Sequence, residues 1–193
     1  INCWFGGVGV GWMNYFAFLI IAVFISGLMV GRTPEFLGRK VEAREMKIAT
    51  LVVLLHPFLI LVGTGISAAV AAANPEIGWL NNPSFHGLSE MLYEYTSSAA
   101  NNGSGFEGLA DNTPFLNIST GIALIMGRYF PIVGQVAIAG LLASKKCIPE
   151  SAGTLRTDTG TFSLMTFAVI IIVAALSFFP ALALGPIADY LTF

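Results

Sequence analysis

Ionisable side chains are scarce in this sequence: Asp, Glu, Lys and Arg make up 10% of its 193 residues, against about a quarter in a soluble domain. Apolar residues reach 55% and the mean hydropathy is +0.78, which excludes an ordinary water-soluble globule and makes a membrane the default solvent. A basic surplus is also missing. At a net charge of −2 nothing offsets phosphate repulsion, so a nucleic-acid partner is excluded. Cysteine occurs at Cys3 and Cys147 alone. Two thiols, one on the side read below as cytoplasmic, build neither a disulfide framework nor a metal knuckle, and both read as packing residues. No Gly-x-x-x-x-Gly-Lys-Ser/Thr run is present to cradle a nucleotide phosphate. The sequence opens Ile1-Asn2-Cys3-Trp4, with no charged segment ahead of an apolar core, so it reads as a fragment of a longer chain and not as a signal peptide.

Long apolar runs are what the sequence has instead. Trp12 to Val30 is almost uninterrupted and would reach roughly 28 Å as a helix, close to the hydrocarbon thickness of a bilayer. Further spans run from about Ile48 to Ala73, Phe115 to Leu142 and Phe162 to Leu184. Of the nine Lys and Arg residues, Arg32, Arg39, Lys40, Arg44 and Lys47 lie between the first two spans and Lys145, Lys146 and Arg156 between the last two. Both connections are therefore expected in the cytoplasm. The connection from Asn74 to Pro114 has no Lys or Arg but carries Glu76, Glu90, Glu94, Glu107 and Asp111. It should face outward, its acids forming either a solvated face or an acidic mouth that concentrates cations.

Within that outer connection, Phe85 to Ala99 reads as a helix, because Leu88, Met91, Leu92 and Tyr95 recur at three- and four-residue spacing. At about 22 Å it is too short to cross a bilayer. Ala99-Ala100-Asn101-Asn102-Gly103-Ser104-Gly105 follows, small and polar residues that make a poor helix and a flexible extended backbone. Helix, irregular loop and then a span is the order of a pore loop. In such a unit the half-helix presents the negative end of its dipole to the membrane middle, and the extended backbone turns carbonyl oxygens toward a potassium ion. Irregular backbone survives at that depth only when enclosed by protein or lining water. An amphipathic helix and loop lying on the outer surface fits the same periodicity.

Several positions stand out inside or beside the spans. Arg128 lies about fourteen residues into the third span, where an unpaired charge costs about 3 kcal/mol or more; a functional role competes with snorkelling to the interface. His56-Pro57 interrupts the second span, as a buried, satisfied histidine beside a kink or as part of a proton relay. The run Gly6-Gly7-Val8-Gly9-Val10-Gly11 has no strand before it, so close helix packing or a helix break suits it better than phosphate binding. Asn102-Gly103-Ser104 and Asn117-Ile118-Ser119 match the glycosylation pattern by chance at membrane depth. Between the first two spans, Thr33, Pro34, Glu35 and Gly38 are expected to cap, start and end a short helix. Arg39 through Lys47 is expected to form a charged helical lead-in that anchors the second span or docks a partner.

Three stretches carry a family resemblance: Gly31-Arg32-Thr33-Pro34-Glu35-Phe36-Leu37-Gly38-Arg39-Lys40-Val41-Glu42-Ala43-Arg44-Glu45-Met46-Lys47, Ser98 through Ser104, and Phe179-Pro180-Ala181-Leu182-Ala183-Leu184-Gly185-Pro186. With them the chain resembles the potassium-binding A subunit of the bacterial Kdp potassium-transporting ATPase, and the resemblance runs through essentially its whole length. It implies an all-α integral membrane fold of four transmembrane helices plus one re-entrant pore helix and filter loop. Residues 1–47 would hold the last helix of a third repeat and a cytoplasmic linker, 48–146 the complete fourth repeat, and 147–193 a loop and the final span. It further implies that Ala100, Asn101, Asn102, Gly103 and Ser104 belong to a selectivity filter, with Asn101, Asn102 and Gly103 at the ion, and that Arg128 stands behind it near the ion's exit. One departure is Ala100, where the family pattern often has a third asparagine. The implied setting is the bacterial inner membrane, with potassium as transported ion and an ATP-hydrolysing pump subunit and small accessory subunits as partners. A Trk- or Ktr-type transporter subunit and a purely structural membrane subunit are the rival readings.

Overall fold

The computed structural model describes residues 11–149 and 151–192. Cys3 and Gly6 to Val10 lie outside the described residues. Among the described residues, five α-helices make up the body: α1, Gly11–Val30; α2, Ala43–Ala73; α3, Phe85–Ala100; α4, Pro114–Ala143; and α5, Gly160–Tyr190. The four long ones correspond to the four expected spans, and each has the length and apolar composition to cross a membrane. They are apolar all round, as helices are when neither face meets water. Large exposed side chains such as Leu51, Phe58, Ile125, Val133 and Leu176 line their outer surfaces.

Local chemistry sets the helix ends. The backbone N–H of Glu42 donates to Glu45 Oε2 at 2.8 Å at the start of α2. Thr113 Oγ1 accepts from the N–H of Leu116, with Pro114 in the first helical position of α4, and Thr159 Oγ1 accepts from that of Phe162 at the start of α5. Pro57 lies inside α2 without ending it, and Pro131 inside α4 likewise. The second of these has a traceable compensation. Pro131 has no N–H to offer the carbonyl of Gly127 one turn earlier, and His56 Nε2 donates to that oxygen instead, at 3.0 Å. His56 is thus a buried, satisfied side chain.

Two expectations for the first basic connection are corrected. Glu35–Phe36 (β1) pairs antiparallel with Arg39–Lys40 (β2), where a short helix was expected from Thr33 to Gly38. Leu37 at φ 50° and Gly38 at φ 70° form a two-residue hairpin turn, and one short helical turn has too few bonds to offset its nucleation cost. The helical lead-in likewise begins at Ala43 and not at Arg39, which belongs to β2. The hairpin is fastened to the other basic connection through Thr33 N–H to Gly153 O at 3.1 Å and Ile148 N–H to Gly38 O at 2.8 Å. Cys147 is exposed there, not packed, because it lies in this surface loop.

The core falls into three levels. Ile20, Ile21 and Val23 of α1, Ala49 of α2, Ile138 and Leu142 of α4 and Phe162 of α5 fill the end that carries the basic loops. Leu59, Ile60, Leu92, Tyr95, Ala99 and Ala123 fill the middle, and Trp79, Met91, Leu109 and Leu116 the opposite end. α3 spans only the last two levels. It starts beside the far end of α5, where Gly185 lies against the Phe85 carbonyl, and runs inward to stop against Gly127, halfway along α4. The chain then turns back, and Ala110 N–H reaches Trp79 O at 2.8 Å.

Candidate functional site

The site is the place where α3 stops. At 16 residues α3 is about 24 Å long, and its end is fixed by contacts that exclude a side chain. A Cβ on Gly127 would collide with the carbonyl oxygen of Ala99, and one on Gly63 of α2 with the ring of Tyr95. These two glycines let α2 and α4 close on α3. The Tyr95 hydroxyl pins the contact, 2.6 Å from Ser67 Oγ and 2.7 Å from Ser119 Oγ.

Asn101 ends the helix in the left-handed conformation, φ 58°, which asparagine tolerates better than most residues. Its Nδ2 lies 3.3 Å from Ser98 O, 3.2 Å from Ala99 O and 3.1 Å from Leu124 O. The side chain therefore serves the last carbonyls of α3 and one of α4. Asn102 Oδ1 accepts from Ser97 Oγ at 2.6 Å, from the N–H of Ser104 at 3.0 Å and from Ser104 Oγ at 2.9 Å. Gly103 takes φ 73°, and a Cβ there would meet nothing within 4 Å, so glycine is needed for its backbone and not for space.

Of the five residues singled out in the sequence, Ala100 is buried as the last residue of α3, Asn101 is half-buried, and Asn102, Gly103 and Ser104 are exposed. The main-chain carbonyls of Asn101 to Ser104 follow the C-terminal, partially negative end of α3. Arg128 follows the Gly127 contact directly. It is half-buried and not without a partner.

The structure brings in residues that the sequence did not single out as part of this site. Ser97 Oγ, besides donating to Asn102, accepts the N–H of Gly105 at 2.9 Å. Glu94 Oε2 accepts the N–H of Phe106 at 2.8 Å. Glu90 accepts from the backbone N–H groups of Asn81 and Asn82 at 3.0 and 2.7 Å. Glu90 and Glu94 are only 2% and 7% exposed, so neither belongs to a solvated acidic face; Glu76, Glu107 and Asp111 do lie exposed. Their burial follows from the loops around α3, whose unpaired N–H groups need acceptors. The spacing of Glu90, Glu94, Ser97 and Asn101, steps of four, three and four, was the available signal: a polar stripe on one face of a helix.

Comparison with known proteins agrees with this architecture. The family described as KdpA, potassium-transporting ATPase A subunit, matches residues 1–191. Proteins named potassium-transporting ATPase potassium-binding subunit are similar throughout. That of Phocaeicola vulgatus is 75% identical over 100% of this chain and 35% of its own length. That of Parabacteroides distasonis is 75% identical over 98% of the chain and 34% of its own length. That of Geobacillus kaustophilus is 55% identical over 100% of the chain and 34% of its own length. The chain spans about a third of the length of these relatives. With four helices able to cross a bilayer and a family match over residues 1–191, it is an all-α, multi-pass membrane protein that belongs to the potassium-transporting ATPase A subunit family.

Proposed function

We propose that this chain contributes one quarter of a potassium filter to the ion-binding subunit of an ATP-driven uptake complex in the bacterial inner membrane. In this reading α3 is a re-entrant pore helix, Ala100 through Ser104 form the filter segment, and the backbone carbonyls of Asn101, Asn102 and Gly103 replace potassium's water. The observation that carries it is the run of main-chain carbonyls in the irregular segment that begins where α3 stops, halfway along α4. Their position favours a cation through the helix dipole, and the asparagine side chains are already spent on holding the backbone. The replacement of a third asparagine by Ala100 is then no obstacle, since the ligands are main-chain oxygens.

Residues 48–146 act as one helix, pore loop and helix repeat, with 1–47 and 147–193 as flanking helices and linkers. The remaining filter quarters come from the rest of the parent protein, so the fragment by itself does not select ions. The subunit is non-catalytic: it takes potassium from outside and passes it to an ATP-hydrolysing pump subunit, with small accessory subunits completing the complex. Arg128, directly behind the loop, discourages the cation from continuing straight through.

Gly103→Asp in the full assembled complex tests this, read as ATP hydrolysis over a range of potassium concentrations. A Cβ at φ 73° strains the loop, so a large rise in the potassium required is expected while the complex still assembles. An unchanged titration would remove the loop from the ion path and favour a purely structural subunit.

A further inference from the structure

The segment from Asn102 to Phe106 belongs to no helix or strand, so backbone pairing of the ordinary kind does not hold its shape. Besides the bonds of Ser104 to Asn102 Oδ1 within the segment, it is tied to two buried side chains on the face of α3 behind it. Ser97, 4% exposed, bridges the two ends of the turn, giving its proton to Asn102 Oδ1 and receiving the N–H of Gly105. Glu94 takes the N–H of Phe106 on Oε2, while Ser98 Oγ lies 3.4 Å from its Oε1. Gly105 fits this arrangement closely: at φ 55°, a Cβ on it would stand 3.3 Å from Glu94 Oε2.

We infer that Ser97 and Glu94 are positioning residues of the ion-binding loop with separable effects, Ser97 setting its selectivity and Glu94 adding to its affinity for a monovalent cation. This rests on the filter reading above. Ser97 acts through geometry. Its hydroxyl fixes the separation of Asn102 and Gly105, hence the direction of the carbonyls between them, and discrimination between ions of similar size depends on that direction. Glu94 acts through charge as well as geometry. A carboxylate held behind the loop, out of water, favours a cation at the carbonyls more strongly than the same charge in solvent would. Neither side chain needs to touch the ion.

The test uses the full assembled complex, with ATP hydrolysis measured against potassium and, separately, rubidium, and normalised to the complex recovered. Ser97→Ala should raise the potassium needed for half-activation about tenfold, the scale of one lost buried hydrogen bond, and narrow the difference between potassium and rubidium; Ser97→Thr, which keeps the hydroxyl, should restore that difference. Glu94→Gln keeps the size and an acceptor for Phe106. It should raise the requirement for both ions by about the same tenfold and leave their ratio unchanged. Gly103→Asp is run beside them. If it shifts the titration while Ser97→Ala and Glu94→Gln behave as wild type per assembled complex, the positioning roles are wrong and the filter reading stands. A Glu94→Gln variant with lowered thermal stability but wild-type ion dependence would likewise reduce Glu94 to a structural residue. If none of the three shifts, the filter reading fails and this inference with it.

Discussion

The Tyr95 hydroxyl sits within 2.7 Å of both Ser67 Oγ and Ser119 Oγ, joining α2, α3 and α4 at a point where the surrounding side chains are apolar. Tyr95→Phe would leave both serines without this partner. It should lower the stability of the assembled protein by about 1–3 kcal/mol, read as a drop in its melting temperature in detergent. A triple variant that also changes Ser67 and Ser119 to Ala should recover part of the loss, since apolar replacements leave nothing unsatisfied. The periodicity that placed Tyr95 on the buried face of α3 was legible in the sequence. Its partners were not, because they come from residues 28 positions before it and 24 after it, a pairing only packing creates.

At the scale of elements, the depth at which α3 stops is set by its neighbours. Gly127 admits the Ala99 carbonyl, and the bond from His56 to Gly127 holds α2 and α4 together at the same level. Gly127→Ala puts a Cβ against backbone, which cannot yield as a side-chain tip can. The prediction is that α3 shifts outward, so that the potassium titration of the complex moves while the long helices stay intact by circular dichroism; an unchanged titration would mean that the loop's position does not depend on this contact. The sequence displayed some element boundaries well, within one residue for α3 and at the C-terminal end of α2, but missed the start of α2 at Ala43 by four or five residues. It misread residues 33–40, because a proline, a glycine and a capping residue serve hairpins as readily as helices.

At the scale of the whole molecule, the two basic connections lock together at one end. Lys145 Nζ reaches Glu45 at 2.8 Å and Glu42 at 3.0 Å, and donates to the carbonyl of Lys40. Glu45 is fully buried, with its second oxygen unpartnered, so removing its cation leaves an uncompensated charge. Lys145→Met should destabilise the protein by about 3 kcal/mol, and adding Glu45→Gln should return much of that; a single variant melting like wild type would show the pair to be superficial. Partial desolvation draws the Lys145 pKa down, but the two carboxylates outweigh it and hold it above the ordinary lysine value. A group with a raised folded pKa stabilises fully below its unfolded pKa, so this contribution is intact at neutral pH. It fades above about pH 10.4. Asp158 shows the opposite sign: the hydrogen-bonded Arg156 lowers its pKa, and what that exposed pair contributes is lost on acidification.

Composition and long, nearly uncharged runs decided that this chain lives in a membrane, since about 20 predominantly apolar residues in succession have few stable fates in water. Charge placement grouped the two basic connections, and short-range periodicity identified α3 and the irregular run after it. These are properties of neighbouring residues, which a sequence displays directly. The tertiary structure alone decided that Glu90 and Glu94 are buried, that the Asn101 and Asn102 side chains brace the loop instead of facing out of it, and that Ser97 ties its ends. Each depends on which distant donors and acceptors are left unpaired once the helices pack, and no local pattern records that.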